Sequence, residues 1–125
     1  MNLEQYLLLL INEESNELAK EAGKAIRFSL NERHPDDKEH TNEERITLSF
    51  IDLIATMYVA KFANVHICDD HLFSILKVPE YRSEVINKIQ RIFKFMRTSM
   101  FERQLDILPK DITALENEII ASLSI

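Results

Sequence analysis

A single glycine constrains the fold of this 125-residue chain more than any other feature. Only three prolines accompany it, so the chain is poor in both residues that favour tight turns. Sheets joined by tight turns and loops that wrap a phosphate need several glycines, which excludes a GxGxxG fingerprint and a P-loop. Long helices with short connections need few glycines. The sequence therefore predicts one all-α domain over residues 1–125, a helical bundle of four to five helices.

The composition and charge limit the cellular compartment and the classes of binding partner to be expected. Hydrophobic residues make up 46% of the chain and charged residues 29%, which is typical of a globular protein, while the net charge of −6 disfavours nucleic acid as a partner. Glu4 stands where a signal peptide would be basic, and the longest apolar run is too short to span a bilayer. The lone Cys68 cannot form an internal disulfide. We therefore expect a cytoplasmic protein with no membrane partner.

Apolar periodicity predicts three long helices, at residues 2–31, 42–64 and 80–103. The second is apolar nearly all round from Ile46 to Ala60, so it should be the most buried element. Helices that are apolar on more than one side cannot all be covered within one small bundle. This surplus predicts a homo-oligomer, most simply a dimer.

The connecting segments contain few apolar residues. Residues 32–41 have no apolar period and include Pro35, which stops a helix, so the sequence predicts a mobile loop there. A short helix is expected before Pro79 and an amphipathic helix at the end of the chain. Capping residues are expected at the starts of the later helices: Thr41 or Asn42, Asp69 or Asp70, and Asp111.

Several acids stand where the periodicity expects apolar side chains. Glu14 lies within the apolar stripe of the first helix, with Glu17 one turn further on and Glu21 close to Glu14 in angle. Asp52 is the only charge in the apolar run of the second helix, where an unpaired carboxylate is costly. Adjacent carboxylates repel unless a cation lies between them. The acids therefore predict a Mg²⁺ site, with Mn²⁺ as an alternative, because magnesium takes oxygen ligands and bridges to phosphates.

The charges are divided unevenly along the chain. Residues 1–44 carry eleven acids and five bases, whereas residues 77–103 carry seven bases and three acids. Lys88, Arg91 and Lys94 recur at every third position of the third helix. An acidic half that holds metal and a basic stripe that holds phosphate would complement each other. The alternative is two solvated faces that attract each other weakly.

Four stretches follow a known order and spacing: Glu13-Glu14-Ser15-Asn16-Glu17-Leu18, Lys24-Ala25-Ile26-Arg27-Phe28, Thr41-Asn42-x-Glu44-Arg45 and Asp52-Leu53. Together they resemble the MazG-like branch of the all-α nucleoside triphosphate pyrophosphohydrolases, in particular its short bacterial and phage members. The resemblance covers about residues 7–60. A fainter echo lies in the third helix at Lys88, Arg91, Lys94 and Ser99.

The resemblance implies magnesium-dependent cleavage of a nucleoside triphosphate into a monophosphate and pyrophosphate. By that comparison Glu14, Glu17 and Asp52 occupy the positions of metal ligands. Glu13 matches a leading acid that supports the site or acts as a base for the attacking water. Basic positions suited to phosphate are matched by Lys24 and Arg27, with Arg91 and Lys94 as further candidates.

The sequence departs from the family at Ser49, where the family's ExxD motif has its first carboxylate. Ser49 could hold a metal-bound water, and Glu21 could supply part of the missing charge. Two alternatives stay open: a non-catalytic nucleotide- or metal-binding regulatory module, and a structural interaction bundle whose acids pair with Arg and Lys. A zinc site at His66, Cys68 and His71 is weaker, because it lacks a second half.

Overall fold

A computed structural model describes residues 1–34 and 37–124 of the chain. Its α-helices are α1 (Leu3–Phe28), α2 (Asn42–Phe62), α3 (Arg82–Phe101) and α4 (Pro109–Leu123). Two short strands, β1 (Arg33–His34) and β2 (Asp37–Thr41), lie between α1 and α2. Two 3₁₀ helices, Asp70–Lys77 and Pro79–Tyr81, lie between α2 and α3. The chain is thus mostly helical, which confirms the all-α prediction. Within the described ranges no helix is both long enough and apolar enough to cross a membrane.

α1 is the longest helix, and only a narrow side of it is covered. A capping box starts it: the side chain of Asn2 accepts the backbone N–H of Gln5 at 2.8 Å, and the Gln5 side chain accepts that of Asn2 at 3.0 Å. Its main packing partner is α2. Only Tyr6, Leu7 and Glu21 are buried along its 26 residues. Most of the helix surface therefore faces away from the rest of the chain.

The polar segment after α1 forms a short antiparallel hairpin, so the predicted loop at residues 32–41 is wrong. Arg33 of β1 lies opposite Thr41 of β2. The side chain of Asp37 accepts the backbone N–H groups of Glu39 and His40 at 3.1 and 3.3 Å. Backbone pairing and this turn satisfy the polar groups without an apolar period, which is why the pattern did not reveal the strands. Pro35 lies outside the described residues.

α2 is the central element of the fold, as predicted. It packs against α1, α3, α4, β2 and the first 3₁₀ helix. Thr41 caps it by accepting the backbone N–H of Glu44 at 3.2 Å, which confirms one of the two expected caps. Its buried residues run along most of its length: Asn42, Ile51, Ile54, Ala55, Thr56, Tyr58, Val59 and Ala60. A helix covered on several sides needs apolar residues around its circumference.

α3 presents one apolar side to α2. Apolar residues at helical spacing are buried on this side, and Met100 is partly buried: Val85, Ile89, Ile92, Phe93 and Met96. The helix begins at Arg82, after the 3₁₀ turn that starts at Pro79. The opposite side of α3 carries the polar residues that matter for the candidate site.

The later helix starts test two predicted caps. Asp69 caps the first 3₁₀ helix by accepting the backbone N–H of His71 at 2.8 Å, which confirms that prediction. Asp111 does not cap α4, which begins two residues earlier at Pro109 with Leu108 at the cap position. Proline fits the first helical position because its missing N–H has no partner there in any helix. Asp111 lies in the first turn instead, where its charge suits the helix dipole.

Candidate functional site

Glu14 on α1 reaches across the fold to α3. Its carboxylate forms an ion pair with the ammonium group of Lys88, and both side chains are mostly buried, with 18% and 12% of their surface exposed. The two residues are 74 positions apart in sequence. A charge pair this far from water is screened less than one on the surface. Glu14 therefore faces inward, as its place in the apolar stripe predicted.

Asp52 on α2 lies near the same side of α3. Its Oδ2 atom is 3.7 Å from Nη2 of Arg91, and its side chain is 18% exposed. Its Oδ1 atom is buried and accepts no hydrogen bond from any described residue. Burial raises the pKa of Asp52 to about 7, helped by a hydrogen bond with Glu84 and by its charge, and opposed by Lys88 and Arg91. One oxygen of this carboxyl group therefore lacks an N–H donor among the described residues.

Arg91 lies between two carboxylates without a close hydrogen bond to either. Its Nη2 atom is 3.7 Å from Asp52 and 3.8 Å from Glu84, beyond the usual hydrogen-bond range. About half of its side-chain surface is exposed. A guanidinium held this loosely is able to turn toward an anionic ligand, and its planar donors match phosphate oxygens.

A polar cleft of about 550 Å³ opens beside these groups. It is lined by Asp52 of α2 and by Glu84, Asn87, Gln90, Arg91 and Lys94 of α3. A smaller cleft of about 110 Å³ next to it is bordered by Glu13, Glu14 and Lys88, among others. Among the α3 residues that line the larger cleft, the acid Glu84 lies at one end, and the bases Arg91 and Lys94 lie at the other. The cleft therefore suits a ligand that carries both phosphate and cationic or hydrogen-bonding groups.

Glu21 belongs to a second, separate cluster. Arg45 donates to both of its carboxylate oxygens at 3.0 Å, and Lys24 donates at 3.3 Å. The Arg45 hydrogen bond is the main reason that the pKa of Glu21 is lowered. Arg45 also reaches Asp37 at 3.3 Å, which ties the hairpin to α1 and α2. Seven residues of helix place Glu21 about 10 Å along the axis from Glu14. Two cations already balance its charge, and its metal role stays a prediction.

Other predicted site residues lie on the surface. Glu13, Glu17 and Arg27 are exposed, so the expected inward orientation of Glu17 is wrong. The reason is angular: Glu21 is nearly aligned with Glu14, whereas Glu17 is turned about 60° from it, and α1 is covered only on a narrow side. Ser49 is partly buried on α2, one turn before Asp52. The proposed roles of Glu17 and Ser49 toward a metal stay predictions.

The donors fit one kind of magnesium site better than another. No group of three His, Cys, Asp or Glu residues is arranged to hold a metal within the described part of the chain, and this includes the zinc alternative at Cys68. Magnesium, however, is often held by one or two carboxylates together with substrate phosphates. The Oδ1 atom of Asp52, on a carboxyl group beside Arg91, suits an ion that arrives with a nucleotide.

Three polar residues of α3 that line the larger cleft were not among the predicted site residues: Glu84, Asn87 and Gln90. Lys88 was predicted to bind phosphate, and in the structure it pairs with Glu14. A signal for them was available, because the polar positions 84, 87, 88, 91 and 94 recur with the period of a helix, opposite the buried stripe. Comparisons of the chain with protein-family models, with curated proteins and with solved structures found no match.

Proposed function

We propose that the chain is a magnesium-dependent nucleotide pyrophosphohydrolase of the MazG-like class, which cleaves a nucleoside triphosphate to a monophosphate and pyrophosphate. One observation carries the proposal. Two mostly buried carboxylates from different helices, Glu14 and Asp52, meet the basic face of α3 beside a polar cleft. Carboxylates next to arginine and lysine are the combination that a metal–phosphate complex needs.

Each residue has a task in this proposal. Arg91 and Lys94 bind the phosphates, and the Asp52 carboxylate would hold the cation that accompanies them. Glu13, at the border of the smaller cleft, orients the attacking water. The magnesium ion itself neutralises phosphate charge when it is bound. Lys24 is engaged by Glu21 and Arg27 is exposed, so their contact with phosphate requires a ligand that extends along α1.

The proposed active form is a dimer, and the surface area supports this. The chain exposes 7800 Å², whereas a folded monomer of 14.7 kDa is expected to expose about 6,900 Å². The excess of about 900 Å² is close to what one partner buries in an interface of standard size. Exposed apolar side chains account for part of it, including Phe50 and Leu72.

A second candidate is a non-catalytic nucleotide-binding module. Two observations favour it: Ser49 replaces a carboxylate of the family's motif, and Lys88 already neutralises Glu14. Such a protein would bind a nucleotide in the larger cleft through Arg91 and Lys94 without hydrolysing it.

Pyrophosphate release distinguishes the two candidates. The protein is incubated with a panel of nucleoside triphosphates and magnesium, and pyrophosphate is assayed separately from orthophosphate. We expect pyrophosphate with at least one nucleotide, and loss of the activity in Glu14→Gln and Asp52→Asn. Glu118→Gln, at an exposed position of α4, serves as the matched control and should keep full activity.

Absence of pyrophosphate with every nucleotide would reject the enzyme. Binding of a nucleotide under those conditions, weakened by Arg91→Gln, would then establish the module. Release of orthophosphate alone would place the cleaved bond elsewhere and reject the proposed reaction.

A further inference from the structure

We propose that the larger cleft distinguishes between nucleotide bases, and that Glu84 selects those that carry an exocyclic amino group: cytosine, adenine and guanine. Asn87 assists in this selection, and Arg91 and Lys94 hold the phosphates at the other end of the cleft. This inference rests on the proposed function only in taking a nucleotide as the ligand. It holds equally for the enzyme and for the non-catalytic module.

The side chains that line the cleft change in character along α3. One acid is followed by two amides and then by two bases: Glu84, Asn87, Gln90, Arg91 and Lys94. The ten residues from the acid to the last base cover about 15 Å of the helix axis. Positions 84, 87, 91 and 94 lie on one side of the helix, because they are three or four residues apart. The cleft therefore presents a carboxylate, an amide and two cations in a fixed order on a rigid element.

Charge determines the direction in which a nucleotide lies in this cleft. Its phosphates are anionic, so they are attracted by Arg91 and Lys94 and repelled by Glu84. The base is attached to the side of the sugar away from the phosphates, so it points toward Glu84 and Asn87. A reversed nucleotide would place its phosphates against a carboxylate that is only 29% exposed.

Glu84 has hydrogen-bond acceptor sites that a base can use. Its Oε1 atom is 3.8 Å from Nη2 of Arg91, which is beyond the usual hydrogen-bond range, and the side chain also shares a hydrogen bond with Asp52. An ionised carboxylate accepts at about four sites and donates at none. These two contacts therefore leave sites that a donor of the ligand can fill.

An exocyclic amino group is the donor that suits this carboxylate. Protein carboxylates accept hydrogen bonds from the N4 amino group of cytosine, whereas the corresponding O4 atom of uracil is an acceptor and repels them. The Asn87 amide both donates and accepts, so it can pair with the ring nitrogen beside the amino group. A site built to bind an N–H group rejects an analogue that lacks it, because its own polar groups are then left unpaired. Glu84 therefore favours cytosine over uracil, and guanine over hypoxanthine, which lacks the N2 amino group.

Binding of nucleotide pairs that differ at the amino group tests the proposal without catalysis. Isothermal titration calorimetry in magnesium compares the α,β-methylene triphosphates of cytidine and uridine, in which the bridge between the α and β phosphorus atoms cannot be hydrolysed. We expect the natural chain to bind the cytidine compound about tenfold more tightly or better, the size of effect that a hydrogen bond to a charged group has. The guanosine compound should be preferred over the inosine compound to a similar extent.

Three variants locate the effect within the cleft. Glu84→Gln keeps the size of the side chain but removes its charge, so the preference for cytidine over uridine should be lost. Glu80→Gln makes the same change at an exposed position outside the larger cleft, and it should keep the full preference. Lys94→Gln, at the phosphate end, should weaken the binding of both compounds alike and leave their ratio unchanged.

Equal binding of cytidine and uridine compounds by the natural chain would overturn the proposal, as would failure to bind any of the four compounds. This comparison decides the preference even where a variant fails to fold. Glu84→Gln weakening both compounds equally would mean that Glu84 acts on the cation or the phosphates, which also overturns the proposal. A lost preference in Lys94→Gln would contradict the orientation of the nucleotide.

None of these results depends on pyrophosphate release. Pyrophosphate released from cytidine and uridine triphosphates, together with equal binding of their analogues, would support the enzyme and reject the selection of bases. A preference for the cytidine compound in a chain that releases no pyrophosphate would support the selection of bases and reject the enzyme.

Discussion

At the scale of single residues, Asp52 has the most unusual environment. A carboxyl group with a pKa of about 7 is only partly ionised at neutral pH. Burial is the main cause, and Glu84 adds to it, because two neighbouring carboxyl groups resist being ionised together. Arg91, at 3.7 Å, compensates only in part. The negative charge of ionised Asp52 is therefore incompletely balanced, and either a proton or a cation can neutralise it.

This environment predicts how stability depends on pH. The pKa of Asp52 is about 7 in the folded chain and near 3.8 in the unfolded chain, so the folded state binds more protons between these values. The stability that this group contributes is complete below about pH 4 and is lost as the pH rises to about 7. Asp52→Asn removes this loss. We expect the variant to gain on the order of 3 kcal/mol relative to the natural chain between pH 4 and 8.

Urea unfolding at a series of pH values measures the difference. Asp111→Asn, an exposed acid on α4, is the control and should show no such trend. A stability difference between Asp52→Asn and the natural chain that stays constant from pH 4 to 8 would contradict the prediction.

At the scale of elements, α1 illustrates how one helix separates similar side chains. Glu14 and Glu21 lie on its covered side and meet different cations, Lys88 and Arg45. Glu17 lies between them in sequence and is exposed. The two inward acids bind α1 to α3 and to the start of α2. They act as structural ties as well as candidate site residues.

The Glu21–Arg45 pair predicts that replacing Glu21 lowers the stability of the fold much more than replacing Glu17. Glu21→Gln weakens a bidentate pair with Arg45 and should destabilise the fold by about 2 kcal/mol at pH 7. Glu17→Gln, on the same helix, should change the free energy of unfolding by less than about 0.5 kcal/mol. Urea unfolding of both variants measures the effect.

The pH dependence gives a second check on Glu21. Because its pKa is lowered in the folded chain, its contribution is present above its ordinary value of 4.5 and is lost as the pH falls below it. The difference between Glu21→Gln and the natural chain should therefore shrink in acid. Equal destabilisation by Glu17→Gln would mean that α1 is rotated from the orientation described.

At the scale of the whole molecule, the excess surface is the main feature. An apolar cleft of about 440 Å³ lies between α2 and the first 3₁₀ helix, bordered by Phe50, Leu53, Met57, Leu72 and Ile75 among others. Phe50 and Leu72 are 42% and 55% exposed. Contiguous apolar surface of this kind is typical of an interface between chains.

The dimer prediction can be tested at this cleft. Light scattering after size exclusion should give the natural chain about twice its 14.7 kDa mass, and Leu72→Glu should give the monomer mass. A charge at this position would have to be buried in the dimer, at a large cost, but is tolerated in the monomer. Phe101→Glu, an exposed apolar residue outside the cleft, should remain dimeric. A monomeric natural chain at micromolar concentration would contradict the prediction.

The sequence by itself determined the helices and most of their inner sides, but not the orientation of Glu17. One glycine, the apolar periods and the caps at Thr41 and Asp69 are local properties, and they predicted the all-α class and the central position of α2. Periodicity failed at the hairpin, because strand pairing at Arg33 and Thr41 joins residues that carry no shared local pattern.

Only the tertiary structure decided which charges meet. Glu14 and Lys88 are 74 residues apart, and Glu21 and Arg45 are 24 apart, so no local pattern could pair them. The partner of a buried acid depends on how each helix is rotated about its axis and on where its neighbour crosses it, which packing of the whole core fixes. The acids were therefore visible in the sequence, but their counter-ions were not.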